Sequence, residues 1–365
     1  MKVMTIIGTR PEMIKMSEII KKFDNSVSHI LVHTGQNYDH NLGEIFYEDL
    51  GLRKPDYYLN ANGKTTAETI AKILIETEKV IQSENPDAVV IHGDTNTALA
   101  SIIVKRYKIP LIHLEAGNRS YDDNVPEEIN RRLVDHISDI NMVYSENSRS
   151  HLLAEGLAHN RIYLMGSPMK EVLKAQEKKI KASKILKELG LKKYQYYLVS
   201  IHRDENLEVG KNLNGVLNSL NLLASATNTD IIMTLHPKTK KKLKQLDVKL
   251  DGHVRMYDPF NFSDYCKLQQ NAVCVISDSG TISEESALLG FPAITIRNAI
   301  ERPEAIDAGV LMMTGTNPVD VMRAISLAKP PQCIPDVYTI DNCSQRVLNV
   351  VLSFTPFVNR YVWMK

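Results

Sequence analysis

PLIHLEAGNRSYDDNVPEEINRRLVDHISDINMVYS, residues 110–145, contains a complete strand–turn–helix–strand unit. PLIHLE (110–115) and INMVYS (140–145) are short apolar runs bounded by turn residues, which reads as buried strand. PEEINRRLVDHI (126–137) begins on Pro126, a residue pre-organised for the first helical position. Apolar strands separated by helices imply a parallel sheet covered on both faces. Residues 113–132 also pack five carboxylates and three arginines into twenty positions. Either this is a solvated loop with a charged helix start, or some of the carboxylates move protons.

The same alternation extends outward. Strand patterns occur at 3–8, 29–34, 88–93, 110–115, 140–145 and 161–166, and restart at 196–202, 230–236, 253–259, 272–277, 293–297 and 310–315. Helical patterns lie between them; in TTAETIAKILIETEKVI (65–81), Ile70, Ile73, Leu74, Thr77, Val80 and Ile81 share one face. A Lys-rich stretch, MKEVLKAQEKKIKASKILKELG (169–190), joins the two series. The expected fold is α/β, with two Rossmann-like domains whose parallel sheets face a cleft. The expected boundaries are 1–168 and 169–345, with 346–365 packing back on the first domain.

Composition narrows the partners. The 365 residues carry a net charge of +1, so neither nucleic acid nor an anionic membrane is expected. The basic run HPKTKKKLKQL (236–246) reads as a solvated face. Cys266, Cys274, Cys333 and Cys343 show no CxxC spacing and read as free thiols. Met1 opens directly into a strand pattern, so no signal peptide is expected, and a cytoplasmic location follows.

Ligands of open α/β sheets bind beyond the carboxyl ends of the strands. The polar residues there are the candidates. In SDSGTISEES (277–286), Ser279, Gly280 and Thr281 precede a helix, as a phosphate site or as an ordinary capped start. Glu285, one turn further, could accept two ribose hydroxyls. In GTRPEMIK (8–15), Arg10 suits a phosphate fork, and Lys15 is a second cation or simply surface. The chain has no GxGxxG, so a nicotinamide cofactor loses its usual signal; no cofactor and no metal are expected. Asp94 and Glu115 end apolar strands, with Glu127 and Glu128 at the helix start after Pro126. Crowded carboxylates would raise each other's proton affinity, although helix-start acids are also favoured by the dipole. His202, in HRDEN (202–206), and Arg302, in ERPEA (301–305), are a catalytic and a binding candidate or structural residues.

GTRPEMIKMS, TGQNYDH, GDTNT, EAGNR with PEEINR, HRDEN, SDSGTISEE and ERPEA occur in that order along nearly the whole chain. Together they resemble the non-hydrolysing UDP-N-acetylglucosamine 2-epimerases, whose fold is the glycosyltransferase B type. The resemblance implies that Arg10, Ser279, Gly280, Thr281 and Glu285 hold UDP, with Tyr265 near the uracil. It implies that Asp94, Glu115, Glu127 and His202 occupy the acid/base and catalytic positions, with Lys15 and Arg302 nearby. It also implies a UDP-sugar as ligand and a homodimer. Asn118, the short segment 119–126 and SGT depart from the common pattern; EAGNR, SGT and the tail YVWMK look more like the branch acting in UDP-N-acetyl-L-fucosamine synthesis. Gln36 remains from a regulatory turn that otherwise diverges. A glycosyltransferase of the same architecture, a hydrolysing epimerase and a silent nucleotide-sugar binder are the rival readings.

Overall fold

The computed structural model describes residues 1–35, 40–203, 206, 210–235, 239–240, 242–243 and 249–365. Gln36, Asp204, Glu205, His236 and most of the basic run lie outside the described residues. The chain divides into two compact units, residues 1–175 with 339–365, and residues 176–338.

The first unit is built on seven parallel strands: β1 (Lys2–Ile7), β2 (Ser28–His33), β3 (Tyr57–Tyr58), β4 (Ala88–His92), β5 (Leu111–Ala116), β6 (Ile140–Val143) and β7 (Ile162–Leu164). They run in the order β3-β2-β1-β4-β5-β6-β7. Helices α1 (Arg10–Ser26), α2 (His40–Leu50), α3 (Thr66–Glu84), α4 (Ser101–Arg106), α5 (Pro126–Ile137) and α6 (Glu146–Ala154) follow the strands, and α7 (Met169–Ala182) begins in this unit and ends in the second. Met4, Ile6, Val32, Val89 and Ile91 from the sheet pack with Ile73, Val80 and Ile81 of α3. Burying each such side chain is worth about 1.5–3 kcal/mol, which is why β-branched runs here are strands and not loops.

The second unit repeats the plan with six parallel strands: β8 (Tyr196–Ile201), β9 (Asp230–Leu235), β10 (Val254–Tyr257), β11 (Val275–Ser277), β12 (Ala293–Thr295) and β13 (Met312–Met313), ordered β10-β9-β8-β11-β12-β13. Helices α8 (Ile185–Glu188), α9 (Gly210–Thr227), α10 (Phe262–Asn271), α11 (Ile282–Leu289), α12 (Pro303–Asp307) and α13 (Pro318–Leu327) surround it. In β8, Tyr197, Val199 and Ile201 pack on one side with α9, while Tyr196 and Leu198 pack on the other with Ile282 and Phe291. Both sheet faces are therefore covered, as continuous apolar strands require.

The last helix, α14 (Cys343–Tyr361), belongs to the first unit. The Cys343 thiol donates to the Met165 and Ser167 carbonyls at 3.0 and 3.1 Å, and Ser344 N–H donates to Glu171 at 3.1 Å. Among the described residues, no helix is long and apolar enough to cross a membrane. All four cysteines are free thiols.

Candidate active site

Sheet order in each unit reverses at one place, between β1 and β4 in the first and between β8 and β11 in the second. Strand ends at such a switch point leave room for a ligand. In the first unit a buried carboxylate, Glu12, ties the two strand ends together. Its Oε2 accepts the Gly8 and Thr9 N–H groups at 2.6 and 3.2 Å, and its Oε1 accepts the Thr95 hydroxyl at 2.6 Å. Burial pushes the Glu12 carboxyl up to about 7 against the pull of those hydrogen bonds. Gly8 is required by space, because a Cβ there would lie 2.1 Å from the hydroxyls of Thr34 and Thr97.

Glu115, the penultimate residue of β5, lies in the left-handed region, φ +66°. The β5–β6 pairing slips between Leu114 and Ala116, so Glu115 is the bulged residue and its side chain is re-aimed. Its Oε2 takes Lys15 Nζ at 2.8 Å, His92 Nε2 at 3.0 Å and the Tyr144 hydroxyl at 3.2 Å. Asn118 Nδ2 donates to Oε1 at 3.3 Å, and Asn118 Oδ1 accepts the Ser148 hydroxyl at 3.0 Å. Lys15 is only 3% exposed and its ammonium sits 5.3 Å from the Tyr144 ring centroid, so it is not a surface lysine. Burial outweighs the pull of Glu115 and holds His92 below the ordinary histidine range.

Asp94 follows β4 and is gripped by Arg131 of α5, with Nε at 2.9 Å and Nη2 at 2.6 Å. Asn130 donates to the Asp94 carbonyl at 2.9 Å. Glu127 lies half-buried in the first turn of α5. Its neighbour Glu128 does more than complement the helix terminus. Fully buried, it accepts from the Ser120 N–H and hydroxyl at 3.0 and 2.9 Å and pairs with Arg131 at 2.8 Å and Arg132 at 3.0 Å. Burial raises the Glu128 carboxyl, but these donors outweigh it and hold it below the usual range. Asp123 is solvated, 79% exposed, as a loop carboxylate should be. Arg10 opens α1, with its guanidinium carbon 5.6 Å from the Phe46 ring centroid.

In the second unit His202 follows β8, and its Nδ1 lies 2.9 Å from Asp278 after β11. Asp278 also accepts the His202 and Arg203 N–H groups at 3.1 and 3.0 Å and Asn206 Nδ2 at 3.1 Å. Burial opposes its charge, but His202 and the other donors pull the Asp278 carboxyl down to about 2. Ser279, Gly280 and Thr281 then lead into α11. Arg302 is buried, donates to the Gly280 carbonyl and pairs with Glu284 at 2.9 Å. A Cβ at Gly280 would stand 3.5 Å from Arg203 Nη2 and 3.6 Å from Arg302 Nη1, so two guanidiniums flank a bare backbone. Paired cations beside the start of a helix suit a phosphate. Glu285 accepts the Thr281 hydroxyl at 2.8 Å and Gln269 Nε2 at 2.6 Å. Tyr265 of α10 packs beside the core, and burial raises its phenol above the ordinary range.

The structure thus brings Lys15 to Glu115, and Arg302 to Gly280. It adds Glu12, His92, Tyr144 and Arg203, which motif reasoning did not single out. Thr9 and Glu12 have the T-x-x-E spacing of a capping box, which would have flagged Glu12 as a cap but not its reach to Thr95. Among the described residues no cluster of three or more His, Cys, Asp or Glu could hold a metal ion.

A family model described as UDP-N-acetylglucosamine 2-epimerase matches residues 21–352. A UDP-N-acetylglucosamine 2-epimerase of Methanocaldococcus jannaschii is 36% identical over 90% of this chain and 92% of its own. A UDP-N-acetylglucosamine 2-epimerase structure from Rickettsia bellii superposes with TM-score 0.93 at 43% identity, over 100% of both chains. The M. jannaschii enzyme in complex with UDP-GlcNAc and UDP superposes with TM-score 0.90 at 32% identity, over 96% of this chain and 99% of that one.

Proposed function

The chain belongs to the UDP-N-acetylglucosamine 2-epimerase family, and from that premise we propose that it inverts C2 of a UDP-2-acetamido-2-deoxy sugar, of the UDP-GlcNAc to UDP-ManNAc type, by elimination and re-addition of UDP. In such a substrate no carbonyl lies next to C2, so direct removal of its proton is too costly. Breaking the C1–O bond first lets UDP depart with the bonding electrons and makes the C2 proton labile. A base then takes that proton, leaving a 2-acetamidoglucal with a C1=C2 double bond. Re-addition of UDP at C1, with a proton delivered to the opposite face of C2, completes the inversion with no net redox change.

In this reading each unit carries part of the chemistry. Ser279, Gly280, Thr281 and Arg302 hold the diphosphate with Arg10, Glu285 holds the ribose, and Tyr265 lies near the uracil. Asp94, Glu115, Glu127 and His202 supply the acid/base groups, with Lys15 beside Glu115. Preorganised cations and N–H groups stabilise the departing diphosphate, an effect often worth about 3–4 kcal/mol per donor. The observation that carries the reading is Glu115. A non-glycine residue held at φ +66° costs about 1–3 kcal/mol, and such strain persists where a side chain must be aimed. Here it aims a carboxylate at Lys15, His92 and Tyr144.

The test is incubation of the protein with UDP-GlcNAc alone in D₂O, read by NMR. Deuterium at C2 without any acceptor supports the epimerase, and Glu115→Gln and Asp94→Asn should each lower the exchange by at least 100-fold, as loss of a general acid or base does, roughly 10²–10⁴-fold. No exchange on any tested UDP-HexNAc would overturn it. A second reading keeps the chemistry and changes the sugar to a 6-deoxy UDP-L-sugar giving UDP-N-acetyl-L-fucosamine. Asn118 favours it, because this departure from the common pattern touches Glu115 itself. A panel with and without the 6-hydroxyl decides between them.

A further inference from the structure

His113 and Asp135 form a fully buried pair between the two carboxylates of the first unit. His113 lies on β5 two residues before Glu115, opposite Ile91 of β4. Its Nδ1 is 2.9 Å from Asp135 Oδ1 and its Nε2 is 2.8 Å from the Gly93 carbonyl. A carbonyl only accepts, so Nε2 carries a proton, and the carboxylate at Nδ1 selects a second one. Burial opposes this imidazolium, but Asp135 outweighs it and raises His113 above the ordinary histidine range. Asp135 is likewise held low by His113 and Arg119 in spite of its burial.

The partners of this pair are backbone turns. Gly93, at φ +71°, immediately precedes Asp94; its carbonyl goes to His113 and its N–H to the Leu114 carbonyl at 2.9 Å. Gly117, at φ +78°, follows the bulged Glu115 and gives its N–H to both Asp135 oxygens at 3.2 Å. Arg119 closes the group, donating to Asp135 at 2.7 Å and to the Asn118 carbonyl at 2.6 Å, with Glu155 as its other partner at 2.6 Å. The strained bulge is therefore held on both sides by one ion pair.

We propose that His113 and Asp135 are positioning residues that clamp the turn before Asp94 and the turn after Glu115, so that one buried ion pair aims both carboxylates. This rests on the reading that Asp94 and Glu115 handle the C2 proton. The Asp135→Asn variant keeps the side chain's shape but removes the charge and turns one acceptor into a donor, and His113→Gln shortens the reach to Gly93. Both should lower kcat at least tenfold while KM, UDP affinity and UDP stoichiometry by calorimetry stay near wild type. With C2-deuterated substrate, their isotope effect on kcat should exceed that of the wild type, because misaimed carboxylates make proton transfer more rate-limiting. A merely unfolded fraction would leave the isotope effect unchanged.

Wild-type kcat and isotope effect in both folded variants, with Asp94→Asn and Glu115→Gln inactive, would overturn the positioning role. Full exchange in Asp94→Asn and Glu115→Gln would instead defeat the underlying acid/base reading. Should neither variant fold, ¹⁵N-histidine spectra of the wild type decide: a His113 ring still doubly protonated above the ordinary histidine value of 6.5 supports the clamp, and a ring already neutral there sinks it.

Discussion

Glu12 makes stability depend on pH through a single side chain. Its carboxyl titrates near 7 in the folded chain and near 4.5 when unfolded. Between those values the folded state keeps a proton that the unfolded state has released. Its contribution is therefore fully present below pH 4.5 and is lost as pH rises through about 7. At about 1.4 kcal/mol per unit, the swing is up to roughly 3 kcal/mol. Glu12→Gln mimics the protonated form, donating to Thr95 and accepting from Gly8. It should raise Tm at pH 8 and leave it unchanged at pH 4.5; equal shifts at both pH values in thermal unfolding would refute this. Single residues were unevenly legible. Glu115 and Asp94 announce themselves as carboxylates at the ends of apolar runs. His113 and Asp135 do not, because one sits inside a strand, the other inside a helix, and only folding brings them to 2.9 Å. Lys15 read equally well as surface, since nothing local shows that it is buried against Glu115.

At the scale of elements, the loop between β1 and α1 is the least tolerant piece. Gly8→Ala would force a methyl against two threonine hydroxyls that are themselves bonded at 2.9 Å. Overpacking of that kind costs about 3 kcal/mol, and a unit of this size should then melt roughly 6–12 °C lower. An unchanged Tm in calorimetry would mean that Thr34 and Thr97 relax freely. The strands themselves were easy to read, because burial on both faces selects runs such as AVVIH and DIIMTL whose apolar character needs no periodicity. Tyr57–Tyr58 escaped that logic as a two-residue edge strand, half-buried, with too few apolar positions to form a pattern. The bulge at Glu115 was also invisible in sequence. It is a register slip between neighbouring strands, held where the Gly117 N–H meets Asp135 of α5, a residue distant in sequence.

Across the whole molecule, the repeated strand order shows one architectural plan used twice, with the charged residues of the first unit and the paired guanidiniums of the second dividing the proposed work. That division was legible because apolar runs restart after the Lys-rich stretch. The return of α14 makes a sharper prediction. Val347, Val351 and Val358 of this helix are buried in the first unit. A fragment of residues 176–338 should fold by itself, while residues 1–175 without 339–365 should expose the apolar surface these valines cover and bind a hydrophobic dye; a compact, dye-silent 1–175 would contradict it. The same return sets a timetable during synthesis. At about 5–20 residues per second, α14 is made roughly 15–70 seconds after α1, on which it packs. Until then α1 lacks the cover that α14 gives it, and the nascent chain must shield that apolar face by other means.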